Sequence, residues 1–193
     1  MISLPDWAFY PIAVTVAVGM VAGALSLDST TRRTPEEIRA EGLSYNGDQL
    51  AEVVTGNGLT ATLVAEGNAP FLKISATRAP LDGIQSAGAF FALSPEELAA
   101  LQGHHLRVAI EVRQAQDRPA DGVRLTFFVP DVGQDSWRRF EIDDDFERLE
   151  FDFVPSGCSW GYGYIGIWPD WDEERNTVDV RSIRLTALEP LEC

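Results

Sequence analysis

From Trp7 to Leu27 the chain reads WAFYPIAVTVAVGMVAGALSL, without one charged side chain. At about 1.5 Å per residue, a helix of this stretch is roughly 31 Å long, close to the thickness of a bilayer's hydrocarbon core. Lipid offers the backbone no hydrogen-bond partner, so a single segment crossing it has to be helical. Trp7 and Tyr10 stand at one end, where amphipathic rings favour the headgroup level. Pro5 and Pro11 fall in or near the first turns, where a missing N–H costs least. A cleaved signal peptide is the rival reading, with Ala22-Gly23-Ala24 as a small-residue cleavage site. The absence of Lys or Arg ahead of the apolar run speaks against it. The sequence therefore predicts an uncleaved transmembrane helix over 1–27.

Two small-xxx-small pairs lie in that helix, Ala13 with Ala17 and Gly19 with Gly23. Such pairs let a second helix approach closely where lipid supplies no hydrophobic drive. They are also ordinary in membrane helices; read as packing residues, they predict an integral membrane protein as partner.

Charge is distributed unevenly about the apolar run. All 15 basic residues and 29 of the 30 acids follow it, leaving the remainder at −14. A surface this acidic repels nucleic acid and anionic lipid, which excludes nucleic-acid binding. It suits solubility, and it also attracts a cationic protein or a divalent metal. Arg32 and Arg33 follow the helix, so the positive-inside rule places the remainder in the cytoplasm. The two widely spaced cysteines and the domain type argued next favour the opposite side. The expectation is the inner membrane of a bacterium, with the soluble domain in the periplasm.

Residues 28–42 read as a polar linker in which Thr34-Pro35-Glu36-Glu37 starts a short helix. Ser94-Pro95-Glu96-Glu97 gives the same signal ahead of a second helix ending near Gly103. The rest, 43–193, alternates with a period of two. Leu106, Val108, Ile110 and Val112 form one apolar face; Val123, Leu125, Phe127 and Val129 form another; Leu149, Phe151 and Phe153 a third. Further strands are expected over 50–54, 59–65, 71–77, 86–92, 137–142, 162–168 and 178–187. Turn signals separate them, among them Asp121-Gly122 and Ser156-Gly157. So many short strands predict a mainly β fold, an antiparallel jelly-roll sandwich with one or two short helices behind one transmembrane helix.

The order LRVAIEVR, VRLTFFV, WRRFEI, DDDFERLEFDFV, YIGIW and VDVRSIRLTAL resembles the C-terminal part of jelly-roll carbohydrate-binding modules and galactose-binding-like domains. The resemblance covers Leu106 to Leu188. It is a pattern of strands, moderately specific for fold and weakly for function. It implies glycan binding, or a non-catalytic part in a larger assembly. It also implies a structural calcium, for which Asp143, Asp144, Asp145, Glu147 and Asp152 are the acids at hand. Consecutive aspartates point apart, so a solvated acidic turn is the competing reading; the same holds for Asp170, Asp172, Glu173 and Glu174.

Trp160, Tyr162, Tyr164 and Trp168 alternate with glycine or isoleucine, and Trp171 follows in a loop. As one strand, 160–168 sends four rings to one face, same-face neighbours about 7 Å apart, a spacing on which sugar rings or a flat partner stack. The alternative is that the rings fill the core. Cys158 and Cys193 either close a disulfide, worth roughly 3–4 kcal/mol in the chain-entropy model, or stay as two thiols. No nucleophile elbow, phosphate loop, zinc spacing or dinucleotide fingerprint occurs, so no catalytic residue is assigned. An unrecognised carboxylate pair of an envelope glycoside hydrolase is the minor enzymatic alternative. The reading is a non-catalytic, single-pass accessory or structural subunit of a bacterial membrane protein complex. The alternative is an anchored glycan-binding protein of the cell envelope.

Overall fold

The computed structural model describes residues 33–65, 69–80, 88–129, 133–134, 137–155 and 157–192, together with Val16 and Met20. The chain divides into two compact units, Met1–Thr34 and Pro35–Cys193. In the first unit, Val16 and Met20 are helical and exposed. The rest of the expected anchor, with Ala13, Ala17, Gly19 and Gly23, lies outside the described residues. Among the described residues no helix is long and apolar enough to cross a membrane.

The second unit is an antiparallel β-sandwich with two short helices. Helix α1 spans Pro35–Glu41, and strand β1 (Leu43–Asn46) follows it. A 3-10 turn, Gly47–Glu52, leads to β2 (Val54–Thr55), β3 (Leu59–Val64), β4 (Phe71–Ala76) and β5 (Ala89–Ala92). Helix α2 (Pro95–Leu101) precedes β6 (His104–Gln114), β7 (Gly122–Val129), β8 (Gly133–Gln134) and β9 (Arg138–Glu141). The last strands are β10 (Glu147–Phe153), β11 (Tyr164–Pro169) and β12 (Thr177–Pro190).

One sheet runs β10-β6-β12-β4-β3, with β1 also paired to β12. The other runs β2-β5-β11-β7-β8, with β9 also on β7. Their facing sides hold the apolar sets that the alternation marked. Leu106, Val108, Ile110 and Val112 of β6 meet Val123, Leu125, Phe127 and Val129 of β7 in one cluster, all buried. Burying such a face removes apolar surface from water at about 25 cal/mol per Å², which holds the two sheets together.

Strand β12 changes phase midway. Val178 and Val180 face the core, and so do Ile183 and Leu185, an odd step that straight alternation forbids. The register against β6 slips between Val180 and Ser182, which makes Arg181 a β-bulge. Before the bulge β12 pairs with β4, and after it with β1. The Arg181 guanidinium lies over the Phe146 ring, 3.6 Å from its centroid.

Both helices start where their sequence signals put them. Ser94 and Glu97 form a complete capping box: the Glu97 N–H donates to Ser94 Oγ (3.3 Å) and the Ser94 N–H to Glu97 Oε2 (2.7 Å). Helix α1 joins the sandwich rather than standing in the linker, because Ile38 is buried and Arg39 donates to the Ala99 and Ala100 carbonyls ending α2.

Three local expectations change. Of residues 50–54 only Val54 is in a strand: Gly47 takes positive φ, and the 3-10 turn to Glu52 swings Leu50 fully into the core. Strand β1 carries a pattern too short for periodicity to mark. The aromatic strand starts at Tyr164 rather than 162, since Trp160 turns inward before the ladder begins.

Candidate functional site

Strand β11 sits in the middle of its sheet, between β5 and β7. Ile165 and Ile167 point into the core opposite Phe91, Phe127 and Leu125. Tyr164, Gly166 and Trp168 therefore stand on the outer face. There Tyr164 pairs with Ala92 and Phe128, Gly166 with Phe90 and Thr126, and Trp168 with Arg124. The four-ring platform expected of one long strand does not form, because its members divide between two environments.

Trp160 goes to the core. Its Nε1 donates to the Gly157 carbonyl at 2.9 Å, and its ring meets the edge of Phe127. For this tryptophan the core-filling alternative holds. Trp168 is on the outer face yet fully buried. Its Nε1 donates to the Arg78 carbonyl (3.0 Å), and Trp137 stands edge-on to it at 6.0 Å.

The rings that remain make a different platform. Tyr164 stacks on Phe128, with centroids 4.9 Å apart and planes at 26°. On its other side Phe90 lies at 5.3 Å, a diagonal neighbour across the β5–β11 register. Tyr162 is 5.9 Å from Tyr164 and 40% exposed. Val54 on β2, opposite Phe90, extends the same face. Burial, and then the neighbouring Tyr162, push the Tyr164 phenol above its ordinary value. Gly166 leaves the position between Tyr164 and Trp168 without a side chain. Gly88 lets β5 approach β11: its φ is +76°, and a methyl there would lie 2.6 Å from the Ile167 carbonyl.

Beyond Trp168, Asp170 receives the Nε of Arg124 (3.0 Å) and that of Arg139. Trp171 is 38% exposed beside them. Phe90, Phe128, Arg124 and Arg139 were not singled out by sequence reasoning. A signal for the first two exists: Phe90-Phe91 and Phe127-Phe128 are adjacent pairs within strands, and adjacent strand residues face opposite ways, so one of each has to stand outside.

The acidic cluster does not converge. Asp152 pairs with Arg107 across the sheet, and Glu147 Oε1 accepts the Asp143 N–H at 3.2 Å. Among the described residues no group of three metal-ligating side chains is assembled. His105 lies 3.4 Å from Glu189. No described cysteine carries a free thiol; Cys193 lies outside the described residues, so its bond to Cys158 stays an expectation.

No protein-family model matches the chain, and no curated protein does. Solved structures do. The CBM22-1 xylan-binding domain of Paenibacillus barcinonensis Xyn10C superposes with a TM-score of 0.50 at 10% identity, over 76% of this chain and 94% of that one. The CBM22-1-CBM22-2 tandem domain of the same protein gives 0.54 at 11% identity, over 78% of this chain and 46% of that one. At such identity the likeness is one of fold: the β-sandwich of this chain has the jelly-roll fold of these carbohydrate-binding modules.

Proposed function

We propose that the chain is a non-catalytic glycan-binding module that holds its ligand on the outer face of the β11 sheet. The observation that carries this is the Tyr164 ring set between Phe90 and Phe128, with the exposed Tyr162 beside it. Rings held in place by a sheet stack on the C–H faces of sugars with little conformational entropy left to lose. The likeness in fold to a xylan-binding domain supports a neutral polysaccharide of the xylan class. The test is calorimetry on the full chain, in a detergent without a sugar headgroup, with xylohexaose and a glycan array. Binding that Tyr162→Ala weakens about tenfold, with melting unchanged, is the expected result. A folded chain that binds no glycan ends this reading.

We further propose that residues 1–27 anchor the chain in the inner membrane of a bacterium with the sandwich in the periplasm, a reading supported by the uncharged run Trp7–Leu27. A Cys158–Cys193 bond fits that compartment, and alkylation of unreduced protein followed by mass spectrometry would detect it as two unlabelled cysteines. A second reading, an accessory subunit of a membrane complex, is favoured by Val16 and Met20. Both are apolar, helical and exposed. Purification in mild detergent as a lone monomer would count against it.

A further inference from the structure

Arg124 on β7 lies directly opposite Arg139 on β9. Like charges so placed repel, and Asp170 is what reconciles them, one carboxylate oxygen to each Nε. Gly122 makes the approach possible, since a methyl there would stand 2.9 Å from Asp170 Oδ2. Nearby, Arg175 pairs with Asp121. Asp172 Oδ1 accepts the N–H groups of Glu174 (3.0 Å) and Arg175 (2.6 Å), which folds the segment into a turn. The half-exposed Trp171 lies between Asp170 and Asp172 in sequence. Together they line a cavity of about 200 Å³, with Ala79 and Pro80 on its wall.

Three guanidinium groups and three carboxylates line it, so their formal charges cancel and no net field selects an ion. What remains is an array of charged donors and acceptors, prearranged by their mutual pairing, beside an open indole face. Hydroxyl groups exploit both kinds of partner, and bonds to charged groups are the stronger ones. The volume lies below the 300–1,000 Å³ or so of drug-sized sites and leaves room for about one sugar ring. We infer that this pocket is a second carbohydrate subsite, taking one neutral monosaccharide unit. It is separate from the rings around Tyr164: Arg124 and Phe128 are four residues apart on one face of β7, about 13 Å. The inference rests on the glycan-binding reading and adds a site to it.

The test follows the indole N–H signals of the full-length, ¹⁵N-labelled chain in a detergent without a sugar headgroup. The probes are xylose, xylohexaose, cellohexaose and mannohexaose. The expected result is a saturable shift of the Trp171 signal, and an affinity about tenfold lower in Trp171→Ala. Arg175→Gln, at an exposed ion pair, is read in the same way and guards against a folding defect in the first variant. If a hexasaccharide binds the wild type and both variants equally, the pocket is overturned while the glycan reading stands. If none of the sugars binds the wild type, both fall. A saturable Trp171 shift on adding inorganic phosphate, with no sugar competing, would overturn the neutral-ligand assignment.

Discussion

Asp179 is 1% exposed and lies between two cations, opposite Lys73 on β4 and Arg113 on β6. Arg113 Nε donates to its Oδ2 at 3.2 Å and is itself largely buried. A buried pair of this kind contributes little net stability, but removing one partner strands the other's charge away from water. Asp179→Ala is expected to lower unfolding free energy by about 3 kcal/mol in chemical denaturation; a loss below about 1 kcal/mol would show that Arg113 reaches water freely. Glu52 poses the opposite problem. Burial, and then the charge of Glu97, raise its carboxyl above the ordinary value of 4.5. A carboxyl whose pKa is raised by folding stabilises the fold below its unfolded pKa and loses that contribution as pH rises through the folded value. Glu52→Gln should therefore melt higher than the wild type at pH 7 and no higher at pH 4. The group is mostly exposed, so solvent screening limits the gain to a few tenths of a kcal/mol.

At the scale of elements, the bulge at Arg181 decides which residues of β12 face inward. Its side chain contributes a cation–π contact of about 0.5–1 kcal/mol, so Arg181→Ala should be mild. Deleting the residue removes the extra position and leaves Val178, Val180, Ile183 and Leu185 in straight alternation, all still facing inward in the same register against β6. Circular dichroism should show both the substituted and the shortened chain folded; loss of structure in the shortened chain alone would mean that the extra twist of the bulge is itself required. The strands with clean alternation, β6, β7 and β10, were legible in the sequence because one face of each is apolar and buried and the other carries mostly polar side chains. The phase change in VDVRSIRL is visible in the letters too, yet only pairing with β6 reveals which residue is extra. Trp160 and Tyr164 show the limit of periodicity for the site. It assigns a ring to a face only where the chain is a strand, and at Trp160 it is not. The Arg124–Asp170–Arg139 group was beyond reach for a different reason: its members come from β7, β9 and the end of β11, which nothing local to any of them connects.

At the scale of the whole molecule, Pro35–Cys193 forms a compact unit of its own. A fragment beginning at Pro35 should thus keep the melting temperature of the full chain to within about 2 °C in calorimetry, the shift expected for under 0.5 kcal/mol in a domain of this size. A larger drop would mean that the first unit supports the second. The strand order also dictates a sequence of events in time. In the β10-β6-β12-β4-β3 sheet, the last strand to leave the ribosome, β12, lies between partners made long before it. Until it emerges, β1, β3 and β4 on one side and β6 and β10 on the other have no edge in common. Their contacts close over long stretches of chain, which makes for slow folding. The nascent sandwich is therefore held as two incomplete halves with open edges, the state in which a β protein is most exposed to wrong pairing.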